Sequence, residues 1–394
     1  MEFLQVVILI KLGRMGNGRH IPALFPLGFD EVFQQLLREY AAGGQEGWVV
    51  SPNQRLSFSD DTARLFLGTA PAPLRKDSTI LEANRPNVQV WKWDEPVQYT
   101  VQHFNVKRDL KKAYAAVYDL KGNKLVQVAD VELPNAQLPI KGMGDWAIVS
   151  TSEPYSLSSM WEGRTRSDYY KVSLATGERT LIAKADYAGY RLSPAGKYVG
   201  TYNATDSCWY TINLTDNRKI QLTTPQTFPA WDEDNDVPNY PSPHGMAGWT
   251  KEDAALLIYD RYDIWSFDPE GKKTPVKLTK NGRDNQVTYR RIVLDREQMD
   301  IDVKEPMLLT GFNEVDKSTG IYRARLVAPS NPTLLAGGNY NYDNVMKAKK
   351  ADKYIYSREN FEVFPEVWAT DANFKKTLQL TRSEEHRLNS SHQV

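Results

Sequence analysis

An all-β chain assembled from repeated four-stranded units is the fold that this sequence predicts, and three observations predict it. Residues 246–279 read as four short runs of β-formers parted by tight turns, with Ala255-Leu256-Leu257-Ile258-Tyr259 and Ile264-Trp265-Ser266-Phe267 as the middle pair. Runs this short, separated by Lys251-Glu252-Asp253 and Pro269-Glu270-Gly271, turn back before a helix can nucleate. The unit then recurs: residues 188–223 open on Ala-Gly-aromatic and close on Leu222-Thr223, as 246–279 close on Leu278-Thr279, and a further copy follows over 345–381. Second strands placed near Arg64, Trp146, Lys197, Ala255, Met307 and Lys353 lie mostly about 50 residues apart, a period typical of propeller blades. One four-stranded sheet cannot bury both its faces, so the copies must cover one another. The expected architecture is a β-propeller of about six recognisable blades, or an incomplete ring of seven or eight.

Taken in order, residues 1–46 form a segment of separate status, 47–381 the propeller domain, and 382–394 a tail. The apolar run from Phe3 to Ile10 is too short to span a membrane and follows Glu2 where a signal peptide carries basic residues. Gly13, Gly16 and Gly18 reverse the order of a dinucleotide fingerprint, and Pro22 interrupts any helix after them. Phe29, Val32, Phe33, Leu36, Leu37 and Tyr40 fall at helical spacing and predict a peripheral helix over 29–41, which holds most of the expected helix. From Gly47 the blade pattern begins, with runs at 54–60 and 64–69, the alternating Val88-Gln89-Val90-Trp91-Lys92-Trp93, and strands over 113–118 and 124–128 around the turn Lys121-Gly122-Asn123. The basic stretch 107–112 reads as a solvated blade edge.

Composition narrows the function classes. Lys+Arg and Asp+Glu are equal at 49 each, so no overall field draws in nucleic acid or an anionic membrane, and neither is expected as a partner. Cys208 is the one cysteine; it can form neither an intrachain disulfide nor a Cys-based metal site, and in Cys208-Trp209-Tyr210 it reads as a small buried strand residue. The compartment is left open. The loop Trp231-Asp232-Glu233-Asp234-Asn235-Asp236 alternates acids like the opening of a calcium loop, yet Val237 replaces the turn glycine and Pro243 the closing glutamate, so solvated acids in a blade connection are expected. No metal or cofactor is expected. His244, between Pro243 and Gly245, reads as a hydrogen-bonded loop histidine.

Several segments together resemble the N-terminal propeller of bacterial S9-family (prolyl oligopeptidase family) serine peptidases. They are Phe58-Ser59-Asp60-Asp61 leading into 64–71, Trp91-Lys92-Trp93, 107–111, 125–130, Asp236 to Gly245, Tyr259-Asp260-Arg261-Tyr262-Asp263-Ile264-Trp265, and Tyr354 to Phe361. The resemblance runs from about Gly47 to Thr381. It implies a propeller that filters peptides on their way to an α/β-hydrolase domain with a Ser-Asp-His triad. The chain departs from the family in having no G-x-S-x-G nucleophile elbow and no alternation of parallel strands with helices. Its five histidines, His20, His103, His244, His386 and His392, have no serine partner in a catalytic context. No catalytic, cofactor-binding or metal residue is therefore assigned.

The expected function is that of the substrate-gating propeller of a peptidase whose parent hydrolyses oligopeptides, with the catalytic domain outside this chain and peptide substrate reached through that parent. The alternative is a free-standing propeller that serves as a protein-interaction scaffold. Residues 382–392 break the strand pattern and resemble translated sequencing adapter, which predicts a tail foreign to the protein.

Overall fold

The computed structural model describes residues 45–73, 79–81, 84 and 88–383; the helix expected over 29–41 and nearly all of the tail lie outside them. The described residues hold six sheets, each built on an antiparallel meander of four strands, which is the repeating unit of a β-propeller. The first contains Trp48–Val50, Arg64–Pro71, Tyr114–Asp119 and Lys124–Gln127, with Ser57–Phe58 also paired to its second strand. The second runs through Asn135–Gln137, Trp146–Thr151, Ser167–Ser173 and Arg179–Asp186, and the third through Tyr190–Leu192, Tyr198–Asn203, Cys208–Asn213 and Lys219–Gln221. The fourth comprises Met246–Thr250, Leu256–Tyr259, Ile264–Phe267 and Val276–Lys277; Asp300–Ile301 joins it in parallel beside Met246–Thr250. Val287–Arg291, Met307–Asn313, Thr319–Ala324 and Thr333–Ala336 make the fifth, and Asn341–Lys347, Lys353–Glu359, Glu366–Asp371 and Leu378–Gln379 the sixth. All six second strands begin within a residue of the positions read from the sequence.

The chain divides into two compact units at Tyr187 and Ala188, the first holding two sheets and the second four. Inside each unit neighbouring sheets share their cores. Leu256 and Ile258 pack with Tyr202, Trp209 and Phe228 of the third sheet and its outgoing connection. Their neighbours Leu257 and Tyr259 point to the opposite side, onto Val287, Tyr289 and Leu309 of the fifth. Successive strand residues face opposite ways, so a strand buried on both faces needs the unbroken apolar run that Leu256 to Tyr259 provide. Each such side chain stabilises by about 1.5–3 kcal/mol on burial. The same division separates Leu308, which packs with Tyr342 and Tyr356, from Leu309. In the first unit Phe66, Val117 and Val126 pack with Ala147, Val149 and Val172 of the second sheet.

Two side-chain devices repeat and explain the recurring sequence signals. A hydroxyl at the end of the strand that precedes the second strand accepts the backbone N–H five residues on, closing the turn: Ser59, after Ser57–Phe58, from Arg64 at 3.0 Å, Ser193 from Tyr198 at 3.0 Å and Thr250 from Ala255 at 2.8 Å. The Leu-Thr endings serve the other edge. Thr223, Thr279 and Thr381 accept the backbone N–H of Trp209, Ile264 and Val367 at 2.8, 2.9 and 2.9 Å. They tie the fourth strand to the start of the third, where a buried backbone donor would otherwise be unpaired. The residue before each of these donors is Cys208, Asp263 or Glu366. The thiol of the third sheet therefore stands where the fourth and sixth carry buried carboxylates.

At Gly142 the connection of the second sheet lies directly against the first sheet. It adopts φ +70°, and a Cβ there would lie 2.9 Å from Ser59 Cα and 2.5 Å from the Phe66 ring, so only glycine lets the turn at 140–142 press against the first sheet.

The two longest helices among the described residues fall where the sequence reading expected strand or loop. Val88 to Trp93 alternates in sequence but forms no strand, and Tyr99–Asp109 is an α-helix with no buried residue. Alternation specifies a strand only where an edge is free to receive it, and the Arg64–Pro71 strand already pairs on both sides, with Trp48–Val50 and Tyr114–Asp119. A shorter helix, Ser156–Glu162, occupies the same connection, second strand to third, in the second sheet and closes on Gly163 at φ +65°.

Candidate functional site

A polar constellation of the second unit lies where the second strands of the fourth and fifth sheets end. The turn Asp260-Arg261-Tyr262-Asp263 joins Leu256–Tyr259 to Ile264–Phe267, and its shape is set by Asp260, which is 4% exposed. Its Oδ1 accepts the N–H of Tyr262 at 2.7 Å and of Asp263 at 2.5 Å, while Oδ2 accepts Trp265 Nε1 at 2.9 Å. Asp263 is fully buried. It takes the Thr279 hydroxyl at 2.8 Å, the N–H of Gly282 at 3.1 Å and the Lys277 ammonium at 2.9 Å. Both carboxylates are spent on holding the turn and its neighbours, which places Arg261 and the buried Tyr262 toward the fifth sheet.

Arg261 meets Glu314, from the equivalent turn of the fifth sheet, in a two-pronged pair with Nε–Oε1 3.1 Å and Nη2–Oε2 2.9 Å. Tyr262 Oη donates to the same carboxylate at 2.9 Å. Burial pushes Glu314 up, but the bonds from Arg261 and Tyr262 outweigh it and hold the carboxyl below its ordinary range; Arg261 is raised in turn. Asp234 adds a contact to Arg261 at 2.7 Å, and Glu233 reaches Arg283 at 3.2 Å. Two acids of the 231–236 loop, Glu233 and Asp234, are thus turned onto arginines, and among the described residues no group of three or more His, Cys, Asp or Glu is placed to hold a metal ion.

Two cationic or basic groups in the cluster are not matched in this way. Arg290 is held by three backbone carbonyls, those of Tyr289, Asp260 and Arg261, and stacks 4.5 Å from the Tyr259 ring centroid. Burial lowers its pKa. His244 lies in the connection that leads into the fourth sheet; its backbone N–H donates to Ala230 at 2.9 Å, and its Nε2 is buried with no protein partner. Burial, then the nearby Arg290 charge, pushes its pKa down, so the ring is neutral at pH 7. The sequence reading of a hydrogen-bonded loop histidine holds for the backbone but not for Nε2. The arrangement can orient and bind polar groups; it contains no hydroxyl or thiol bonded to His244 that could act as a nucleophile.

The other residues singled out in the sequence lie elsewhere. Cys208 is 1% exposed and receives Gln221 Nε2 at 3.4 Å. Burial raises its thiol, as suits a packing residue and not a reactive one. His103 is on the exposed helix, stacked on Tyr99 at 6.0 Å. The basic stretch 107–112 forms the last turn of that helix and the exit from it. His20, His386 and His392 lie outside the described residues. Sequence reading missed the Arg261–Glu314 pair because its members are 53 residues apart; the only signal available was that each follows the second strand of its own sheet.

Fold and cluster together define a β-propeller protein with a polar, binding-type constellation at one strand end. No family model matches the chain, and no curated protein matches it. Its structural neighbours include a structure from a study of two prolyl endopeptidases, at 12% identity and a TM-score of 0.41, covering 83% of this chain and 41% of that one. They include the acylaminoacyl peptidase of Pyrococcus horikoshii at 10% identity and 0.37, covering 86% and 46%, and TolB from Acinetobacter baumannii at 13% and 0.31, covering 68% and 59%. The chain spans about half or less of the length of the two peptidases.

Proposed function

We propose that this chain is the substrate-gating propeller of an S9-family serine peptidase whose catalytic hydrolase domain is encoded outside it. The observation that carries the reading is where the family-like segments fall. Residues 236–245 lead into the fourth sheet, 259–265 form its turn between second and third strands, and 354–361 end in the equivalent turn of the sixth. In an antiparallel meander the connection between sheets and the turn between second and third strands lie at one end. These three segments of the second unit therefore reach a single strand end, where a loop surface meets a ligand or a domain, while the resembling residues 64–71 and 125–130 of the first unit lie in or beside its strands. The parent enzyme would hydrolyse peptide bonds of oligopeptides; the propeller would select which peptides enter.

Acyl transfer at a peptide bond needs an activated nucleophile, a base within about 3 Å of it and an oxyanion hole. Residues 1–394 contain no nucleophile elbow. A fluorophosphonate probe is expected to leave the purified chain unmodified and to label a longer product translated through the downstream reading frame. Labelling of any serine in the chain itself, or a downstream frame without G-x-S-x-G, would refute the reading. The alternative, a protein-interaction scaffold, is favoured by one feature: the 88–112 connection exposes Trp91, Trp93 and Phe104 at 66%, 95% and 85%, more apolar surface than scattered exposed side chains require.

A further inference from the structure

The fifth sheet carries an elaboration that its neighbours lack. Within the second unit the connections between first and second strands cover residues 193–197, 251–255 and 348–352 in the third, fourth and sixth sheets, but 292–306 in the fifth. A turn of five residues closes such a hairpin, so the extra length serves something other than reversal. It is also pinned: Asp300 and Ile301 pair with Trp249 and Thr250, so the excursion is an ordered wall. Between it and the 347–354 hairpin of the sixth sheet lies a cavity of about 430 Å³, at the strand end opposite the Arg261–Glu314 cluster.

The lining has two parts. Ile301, Met307 and Leu308 are buried beneath it, and Tyr354 supplies a ring. Around them stand Asp295, Asp300, Asp302 and Glu305, none of which forms an ion pair with a described residue. Asp295 and Asp302 each accept one backbone N–H through Oδ1, from Glu297 at 2.8 Å and Lys304 at 2.9 Å. Oδ2 of neither has a hydrogen-bond partner among the described residues. The lining cations do not neutralise this set. Lys347 is bound to Asp352 at 3.1 Å and lies over the Tyr354 ring at 5.8 Å, and Arg291 is directed to the Ala247 carbonyl at 3.1 Å. Arg291 keeps its charge, which faces Asp300, so Arg291 and Lys349 stand against four carboxylates.

An apolar floor under an acidic rim matches a methylene stem that ends in an ammonium group, since the stem gains from leaving water while the charge stays hydrated beside carboxylates. We propose that this cavity binds an alkylammonium group, namely the lysine side chain of a peptide or a free polyamine. The inference does not depend on the peptidase reading, because a scaffold would use the site equally.

The test is calorimetric titration of the full chain with Nα-acetyl-lysine methylamide, its norleucine analogue, Nα-acetyl-glutamate methylamide and spermidine, at low and high salt. Saturable binding of an ammonium ligand is expected, weakened by salt, with the norleucine and glutamate probes at least about tenfold weaker. Preference for the lysine probe would identify a peptide ligand, and preference for spermidine a polyamine. The double variant Asp300→Asn with Asp302→Asn keeps the Oδ1 acceptor of Asp302 and the backbone pairing of Asp300, so the excursion stays folded; it should weaken binding about tenfold or more, while Lys349→Ala should not weaken it. Equal affinity for norleucine, tighter binding of glutamate, an unaffected double variant with an unchanged melting curve, or no saturable binding of either ammonium probe at millimolar concentration would overturn the proposal.

Discussion

Asp263 offers the sharpest test of how the second unit holds together. Replacing it with alanine removes the acceptor for Thr279 Oγ1 and Gly282 N, both on Oδ1, and for Arg283 N and Lys277 Nζ, both on Oδ2. Thr279 and Gly282 are buried, so their donors are left without water, at about 1–3 kcal/mol each. Lys277 is 29% exposed and can rehydrate, which keeps its share small. The expected loss is about 3–5 kcal/mol, the range for breaking a buried, hydrogen-bonded charge pair. Asp263→Asn keeps Oδ1 but turns an amide N–H₂ toward Lys277 and Arg283, and should fall between alanine and wild type. Urea unfolding gives the magnitude, and native-state hydrogen exchange at Gly282 and Arg283 locates it. An alanine variant within about 1 kcal/mol of wild type, with both amides still protected, would show that the carboxylate is not what ties the fourth sheet to the connection that leaves it.

Three further outcomes follow from the packing. Burial, reinforced by the hydrogen bond to Glu270, raises Tyr198 to about 12; with the folded value above the unfolded one of about 10, its contribution is whole below pH 10 and lost as pH rises toward 12, so Tyr198→Phe should flatten the alkaline limb of the stability profile. Cys208 should react with a thiol reagent only slowly in the native state, its rate still climbing above pH 9 and jumping on unfolding; fast labelling at pH 7 would contradict its burial. A Cβ on Gly311 would lie 2.3 Å from the Tyr322 ring, so Gly311→Ala should cost about 1–3 kcal/mol, and much less in a Tyr322→Leu background if that contact is the cause.

Much of the fold was legible because it is written locally. Each second strand is a short apolar run bounded by turn residues, and each Leu-Thr ending proves to be a hydroxyl that serves the third strand beside it. What sequence could not show depends on partners far along the chain. Nothing near Val88 to Trp93 reveals that both edges of Arg64–Pro71 are occupied, which is why the alternating run finds no ladder and Tyr99–Asp109 stands out as helix. Asp300-Ile301 is too short to announce a strand and exists only because Trp249 and Thr250 are there to receive it. The Arg261–Glu314 pair needs two turns from different sheets. Cys208 was read correctly as buried, though not as the thiol counterpart of Asp263 and Glu366.

The bonding of each sheet mainly within itself and to the next bears on how the chain is made. The longest step in the described strand ladders joins Arg64 to Asp119 inside the first sheet, so a nascent chain can finish one blade before the following one has been translated, and folding can keep pace with synthesis. The cost falls on any stop along the way. A ribosome that paused after Thr279 would leave Leu257, Tyr259 and Ile264 bare until Tyr289 and Leu309 arrived to cover them, and a message cut at that point would yield a folded stub with one adhesive face.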